Sequence, residues 1–238
     1  MKRIVVMASG AGSNFASILQ HAENGDCDVD VTALFSDRAE AGALEIARKR
    51  NIPTTVLPIR KGDCRSEWNK QVASRIEELE PDLIVLAGFM RILGSPIVEQ
   101  YRGRILNIHP SLLPAFPGAH AVAEALKAGV CVTGCTVHWV DAGVDTGRII
   151  AQAALPILDD DSVESLHQRI RQVEHRLLPA ILDAVARPDG SSRLLRALLE
   201  ERETRERVLI AASLDCPGID KAKEAREAGT HRSGFEGS

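Results

Sequence analysis

The chain has 238 residues, enough for one large domain or two small ones and for burying about 70% of the surface that the unfolded form exposes. With 29 Lys and Arg against 33 Asp and Glu the formal net charge is −4, so there is no strong positive field to gather phosphate backbones or anionic lipid, and nucleic acid is not expected as a main partner. Hydrophobic residues at 45% and charged residues at 26% match folded globular chains, and an aromatic share of 3% argues against base-stacking surfaces.

The longest apolar run, Leu83 to Met90, stops at Arg91, well short of the ~18 to 20 residues of a membrane helix, so no membrane partner is expected. Ile4 to Ala8 after Met1-Lys2-Arg3 is also shorter than the ~7 to 15 apolar residues of a secretory signal, and predicts a first strand. Further Val/Ile/Leu-rich runs follow at 29–36, 53–59, 82–88 and 105–109, alternating with helical patterns at 13–24, 40–50, 65–80 and 96–101. This is repeated βαβ, which predicts an α/β fold with a doubly wound, mainly parallel sheet. A helix at 119–128, strands at 132–140 and 148–157 that form a C-terminal antiparallel extension, and a long helix over 162–186 behind the acidic cap Asp159-Asp160-Asp161 complete a catalytic domain over 1–190.

Residues 191–238 read as a helical and polar appendage. Its Leu195, Leu198 and Leu199 stripe needs a cover, supplied either by the parent domain or by a second copy in a homodimer. The five cysteines, at 27, 64, 131, 135 and 216, are an odd number without framework spacing, so a reducing, cytoplasmic compartment is expected. Cys131, Cys135 and His138 suggest a metal at first sight. On a strand, however, residues four apart lie ~13 Å from each other and His138 faces the other side, so no metal is expected.

In such sheets ligands sit beyond the carboxyl ends of the strands. The loop Ser9-Gly10-Ala11-Gly12-Ser13-Asn14 there suits a phosphate held by backbone amides at a helix start. It also matches two of the three glycines of a dinucleotide fingerprint, with Phe15 in the third place and Asp37 as an acidic partner, and a ligand-free tight turn is the plain alternative. Asn107 and His109, two apart on a strand, point to one side and form a donor pair for an oxyanion, unless His109 is a satisfied core histidine in a proline-bound turn. The loop 141–147 offers a carboxylate to orient that imidazole, or an aspartate that caps a hairpin.

Taken together, SGAGSN at 9–14, LAGFMRIL at 86–93, NIHPSLLP at 107–114, HWVDAGVDTG at 138–147 and QVEH at 172–175 resemble the phosphoribosylglycinamide formyltransferase family, over about residues 2–187. The resemblance implies a Rossmann-like formyltransferase fold and transfer of the formyl group of 10-formyltetrahydrofolate, as co-substrate, to the amine of phosphoribosylglycinamide in purine biosynthesis. It implies His109 as general acid and oxyanion partner, Asn107 as companion donor and Asp145 as the carboxylate that raises the histidine pKa. Gly12, Ser13 and Asn14 would hold the substrate phosphate, while Arg171, Gln172, Val173 and Glu174 would reach the substrate, Glu174 through ribose hydroxyls. Folate would be held by Arg65, by Met90, Arg91, Ile92 and Leu93, by Asn107, and by Asp141, Ala142, Gly143, Val144 and Asp145. Arg148, Val122 and the tail depart from the family pattern. The rival readings are methionyl-tRNA formyltransferase, which needs a basic C-terminal β-domain, formyltetrahydrofolate hydrolase, which needs a preceding regulatory domain, and a non-catalytic or NAD-linked nucleotide-binding protein.

Overall fold

The structure is a computed structural model and describes residues 1–187 together with Ser192, Arg193, Arg196 and Ala197. The leucine stripe of the predicted appendage therefore lies outside the described residues.

Each apolar run becomes a strand of one seven-stranded sheet, in the order β3-β2-β1-β4-β5-β6-β7. The strands are β1 (Lys2–Met7), β2 (Val29–Ser36), β3 (Thr54–Val56), β4 (Leu83–Leu86), β5 (Ile105–His109), β6 (Val132–Trp139) and β7 (Ile149–Pro156). Neighbours from β3 through β5 are parallel, whereas β6 and β7 add as an antiparallel edge. Between them run α1 (Ser13–Glu23), α2 (Gly42–Lys49), α3 (Arg65–Glu77), α4 (Ser95–Gln100), α5 (Ala121–Ala128) and, after β7, α6 (Val163–Ala186).

The pleat of β1 shows why its run is apolar without interruption. Ile4 and Val6 enter one core with Phe15 and Ile18 of α1 and Leu166 and Ile170 of α6, whereas Val5 and Met7 enter the opposite core with Trp68, Val72 and Ile76 of α3. Every one of these β1 side chains is fully buried, which stabilises the fold by about 1.5–3 kcal/mol for each.

Among the departures from the sequence reading, which elsewhere shift element ends by one to three residues, two have a clear physical cause. The strand expected over 53–59 shrinks to Thr54–Val56, because Pro53 and Pro58 bring no N–H to a ladder. The cap of α6 is Ser162, in a reciprocal capping box with Ser165, rather than the acidic triplet. Asp161 instead accepts from the Leu158 amide at 2.9 Å and from Arg169, closing the turn in front of the helix.

Candidate active site

The chain leaves β1 for β2 on one side of the sheet, and β4 and β5 lie on the other. That reversal opens a crevice at the carboxyl ends of the central strands. A cavity of about 670 Å³ fills it, walled by the loops after β1, β4, β5 and β6 and by one face of α6. The volume is in the range of small-molecule sites.

At one end, the chain turns at Gly12 with φ +80° and enters α1 without a side-chain cap or an acidic residue in the first turn. Its first amides and the positive end of the helix are thus left for an anion. Ser13 and Asn14 line the cavity here with Arg171 and Glu174 of α6. Asn14 donates through Nδ2 to Glu174 Oε2 at 2.7 Å, while its own buried Oδ1 has no protein partner. Burial pushes the Glu174 carboxyl above its ordinary value, against the Asn14 bond and the Arg171 charge. His167 stands one turn before Arg171 on the same wall, and burial followed by the Arg171 charge lowers its pKa.

At the centre, Asn107 and His109 project from β5 into the cavity and meet Asp145 from the loop after β6. Asp145 Oδ2 accepts from the Gly118 amide at 2.8 Å and lies 3.4 Å from His109 Nδ1. The other nitrogen, Nε2, lies 2.8 Å from the Phe116 carbonyl. Both nitrogens thus face oxygen acceptors. His138 completes the group. Its Nδ1 lies 2.9 Å from the Trp139 carbonyl, and its Nε2 lies 3.0 Å from Asn107 Nδ2 and 3.6 Å from Asp145 Oδ1. Asn107 Nδ2 also donates to Asp145 Oδ1 at 3.4 Å. The His138 contact, the Gly118 amide and the charge of both imidazoles hold the Asp145 carboxyl below its ordinary value, against desolvation.

At the far end, Met90 and Ile92 stand 60% and 63% exposed opposite Val144, at 47%. The loop that carries Val144 is closed by Asp141, whose Oδ1 accepts from the Gly143 amide at 3.1 Å and from Thr146 Oγ1 at 2.7 Å. Of the two aspartates in this loop, Asp141 makes the hairpin turn and Asp145 faces the cavity.

The structure brings Gly12, Ser13, Asn14, Met90, Arg91, Ile92, Leu93, Asn107, His109, Asp141, Gly143, Val144, Asp145, Arg171 and Glu174 to one wall. Arg65, Ala142, Gln172 and Val173 lie outside it. Arg65 stands behind, donating to the Ile92 carbonyl, and Val173 packs against the core. Asp37 is not available to a ribose, since its buried carboxylate is taken by Ser9 and Arg91, and the dinucleotide reading loses its acidic partner. Sequence reasoning missed His138, Gly118 and His167 as wall residues. Only for His138 was a signal present, since it stands across the antiparallel pair from Asn107. Of the departures from the family pattern, Val122 is buried at the cavity wall, and the Arg148 carbonyl accepts from the Trp139 amide at 3.0 Å, a backbone role that does not depend on its side chain. Among the described residues no group of three or more His, Cys, Asp or Glu could hold a metal, and no helix is long and apolar enough to cross a membrane.

Comparison with known proteins agrees with this fold. A model of the formyl transferase family matches residues 2–182. A phosphoribosylglycinamide formyltransferase of Mycobacterium tuberculosis is 49% identical over 184 residues, 77% of this chain and 85% of that protein. The trifunctional purine biosynthetic protein adenosine-3 of Gallus gallus is 42% identical over 184 residues, 77% of this chain and 18% of that one. The crystal structure of glycinamide ribonucleotide transformylase 1 from Symbiobacterium toebii superimposes with a TM-score of 0.76 at 44% identity, covering 78% of this chain and 88% of that one. With the family matched across both the sheet and the cavity, and relatives this close, the chain belongs to the formyl transferase family.

Proposed function

We propose that this chain transfers the formyl group of 10-formyltetrahydrofolate to the glycyl amine of 5-phosphoribosylglycinamide, a step of purine biosynthesis. The observation that carries this reading is that a single cavity joins an uncapped helix N-terminus to the Asn107, His109 and Asp145 group. The names of the relatives support the same substrates.

The ribonucleotide phosphate is assigned to the amides after Gly12, with Ser13, Asn14 and Arg171 around it, and the ribose to Glu174. The folate fits the other end, where exposed Met90, Ile92 and Val144 offer an apolar slot beside the polar backbone of 90–93 and 141–145. The folate supplies an activated formyl carbon. An α-amino group with a pKa near ~8 is substantially free base at neutral pH, so the nucleophile needs little activation and the main task is charge that develops on the formyl oxygen. Asn107 Nδ2 and His109 Nε2 are the donors for it, each worth about 3–4 kcal/mol when well placed. To do so His109 gives up its bond to the Phe116 carbonyl, and Asn107 its longer contact to Asp145 Oδ1. Asp145 holds the imidazolium, and once His109 has passed its proton to the formyl oxygen, the carboxylate loses its counter-charge, gains basicity and takes the amine proton, directly or through water. The adduct then collapses as its hydroxyl proton returns to His109, the formyl–folate C–N bond breaks and the leaving folate nitrogen takes the proton held by Asp145. The odd number and irregular spacing of the five cysteines support a reducing, cytoplasmic setting.

The test is a spectrophotometric formyl-transfer assay with the purified protein and both substrates. Turnover on the ribonucleotide is expected. Folded protein that is inactive with both substrates at saturation, but is stabilised by NAD, would instead point to a nucleotide-binding protein.

A further inference from the structure

One carboxylate that the proposed chemistry does not use ties together the loops after β1, β2 and β4. Asp37 follows β2 directly, and its side chain has no exposed surface. Its Oδ1 accepts from Ser9 Oγ at 2.5 Å, and Ser9 Oγ in turn accepts from the Met90 amide at 2.8 Å. Its Oδ2 accepts from Arg91 Nε at 2.7 Å. Arg65 donates to the Ile92 carbonyl from the other side, with its guanidinium 4.4 Å over the Trp68 ring. Burial and then the Arg91 charge lower the Arg65 pKa while Asp37 opposes them, so the three groups form one charge cluster.

Each of Met90, Arg91 and Ile92 thus has one polar group fixed by the protein, although the side chains of Met90 and Ile92 stand in the open. Fold stability does not account for such a pair. Desolvating a carboxylate this completely is repaid only in part by its partner, and apolar residues of the same volume commonly do as well. What the carboxylate adds is a fixed backbone for a segment whose apolar side chains cannot bury themselves. Holding that segment in its bound shape beforehand removes an ordering cost from ligand binding.

We infer that Asp37 is a positioning residue for the folate: through Ser9 and Arg91 it pre-forms the 90–92 wall, and it touches neither substrate. The inference rests on the assignment of residues 90–93 to the folate.

Asp37→Asn keeps the shape but not the function, because a carboxylate accepts on both oxygens and an amide on only one. Either Arg91 loses its acceptor, or Ser9 must turn its hydroxyl to accept from the new amide instead of donating; in both cases the charge that holds Arg91 is gone. The expected result is a rise of about tenfold in the Kd of tetrahydrofolate, measured by calorimetry, and in KM for the formyl donor. KM for the ribonucleotide and kcat at saturating donor should stay within about twofold. Ser9→Ala and Arg91→Met should give the same split, and Asp37→Asn combined with Arg91→Met should be little worse than the poorer single variant, because both remove one contact. A merely structural role would shift both KM values together, or only the melting temperature. Unchanged tetrahydrofolate binding in folded Asp37→Asn, or equal losses for both substrates, overturns the inference. Should Asp37→Asn not fold, Ser9→Ala, which lies outside the cavity wall, decides on the same criterion. Failure of the unmodified protein to bind tetrahydrofolate is a separate result that strikes the folate assignment itself.

Discussion

Asp145 sits at φ +55°, in the left-handed region that side chains other than Asn, Asp and Gly rarely adopt. The Gly118 amide and the His109 and His138 rings surround it and hold it there. Asparagine tolerates the same backbone, so Asp145→Asn should fold while kcat falls by about 10²-fold or more, because His109 loses its counter-charge. The stability effect has a definite sign. The folded carboxyl lies below its ordinary value of 3.8, so its contribution is present above that pH and is lost as pH falls through the lower folded value. Melting curves should therefore separate the variant from the parent at neutral pH and bring them together in acid. Glu174 has the opposite sign. Burial raises its pKa above 4.5, so stability falls as pH rises from there through the folded value. Glu174→Gln keeps an acceptor for Asn14 without the buried charge. It should raise the melting temperature at pH 7 but not at pH 4, while weakening ribonucleotide binding in calorimetry; a variant that is less stable at pH 7 would contradict this.

At the scale of elements, the site depends on two close approaches. The first is between the loop after β1 and α2. A Cβ on Gly12 would lie 2.7 Å from both Cα and Cβ of Ala43, at a residue with φ +80°. The glycine is therefore required by the packing of α2 as well as by any ligand. Gly12→Val should cost about 1–3 kcal/mol of stability, in addition to weakening ribonucleotide binding more than folate binding. Thermal melting alongside calorimetry with each ligand separates the two effects, and an unchanged melting temperature would show that the loop shifts freely. The second approach is the antiparallel addition of β6 to β5, which sets Asn107 opposite His138. That register is why an amide and a ring 31 positions apart share a hydrogen bond at 3.0 Å.

Across the whole molecule, the family match ends at residue 182, inside α6, and no residue placed in the site lies beyond it. We therefore propose a catalytic domain over 1–190 and an appendage over 191–238. Ser192 is nonetheless buried, and Arg193 and Ala197 adjoin Gly25 and Asp26 at the turn after α1. A chain ending at Ser191 should keep formyl transfer and lose thermal stability or assembly size, as read by melting and by light scattering. Loss of transfer with melting and mass unchanged would place the appendage at the active site.

The amino-acid sequence by itself determined the alternation of strands and helices, because a strand must be apolar wherever both of its faces are buried, as β1 is from Ile4 to Met7. It also determined the pair Asn107 and His109, since residues two apart on one strand share a side whatever the strand packs against. The tertiary structure alone decided what that pair meets. Asp141 and Asp145 are equivalent as letters in one loop, and only the placement of that loop against Gly118 and β5 makes one a turn and the other a partner of His109. Asp37 likewise fitted a ribose ligand until the fold set Ser9 and Arg91 against it, 28 and 54 positions away along the chain. Local pattern is written in side-chain periodicity, which a short stretch of sequence carries complete. The convergence of distant loops depends on strand order and register, which no single stretch contains.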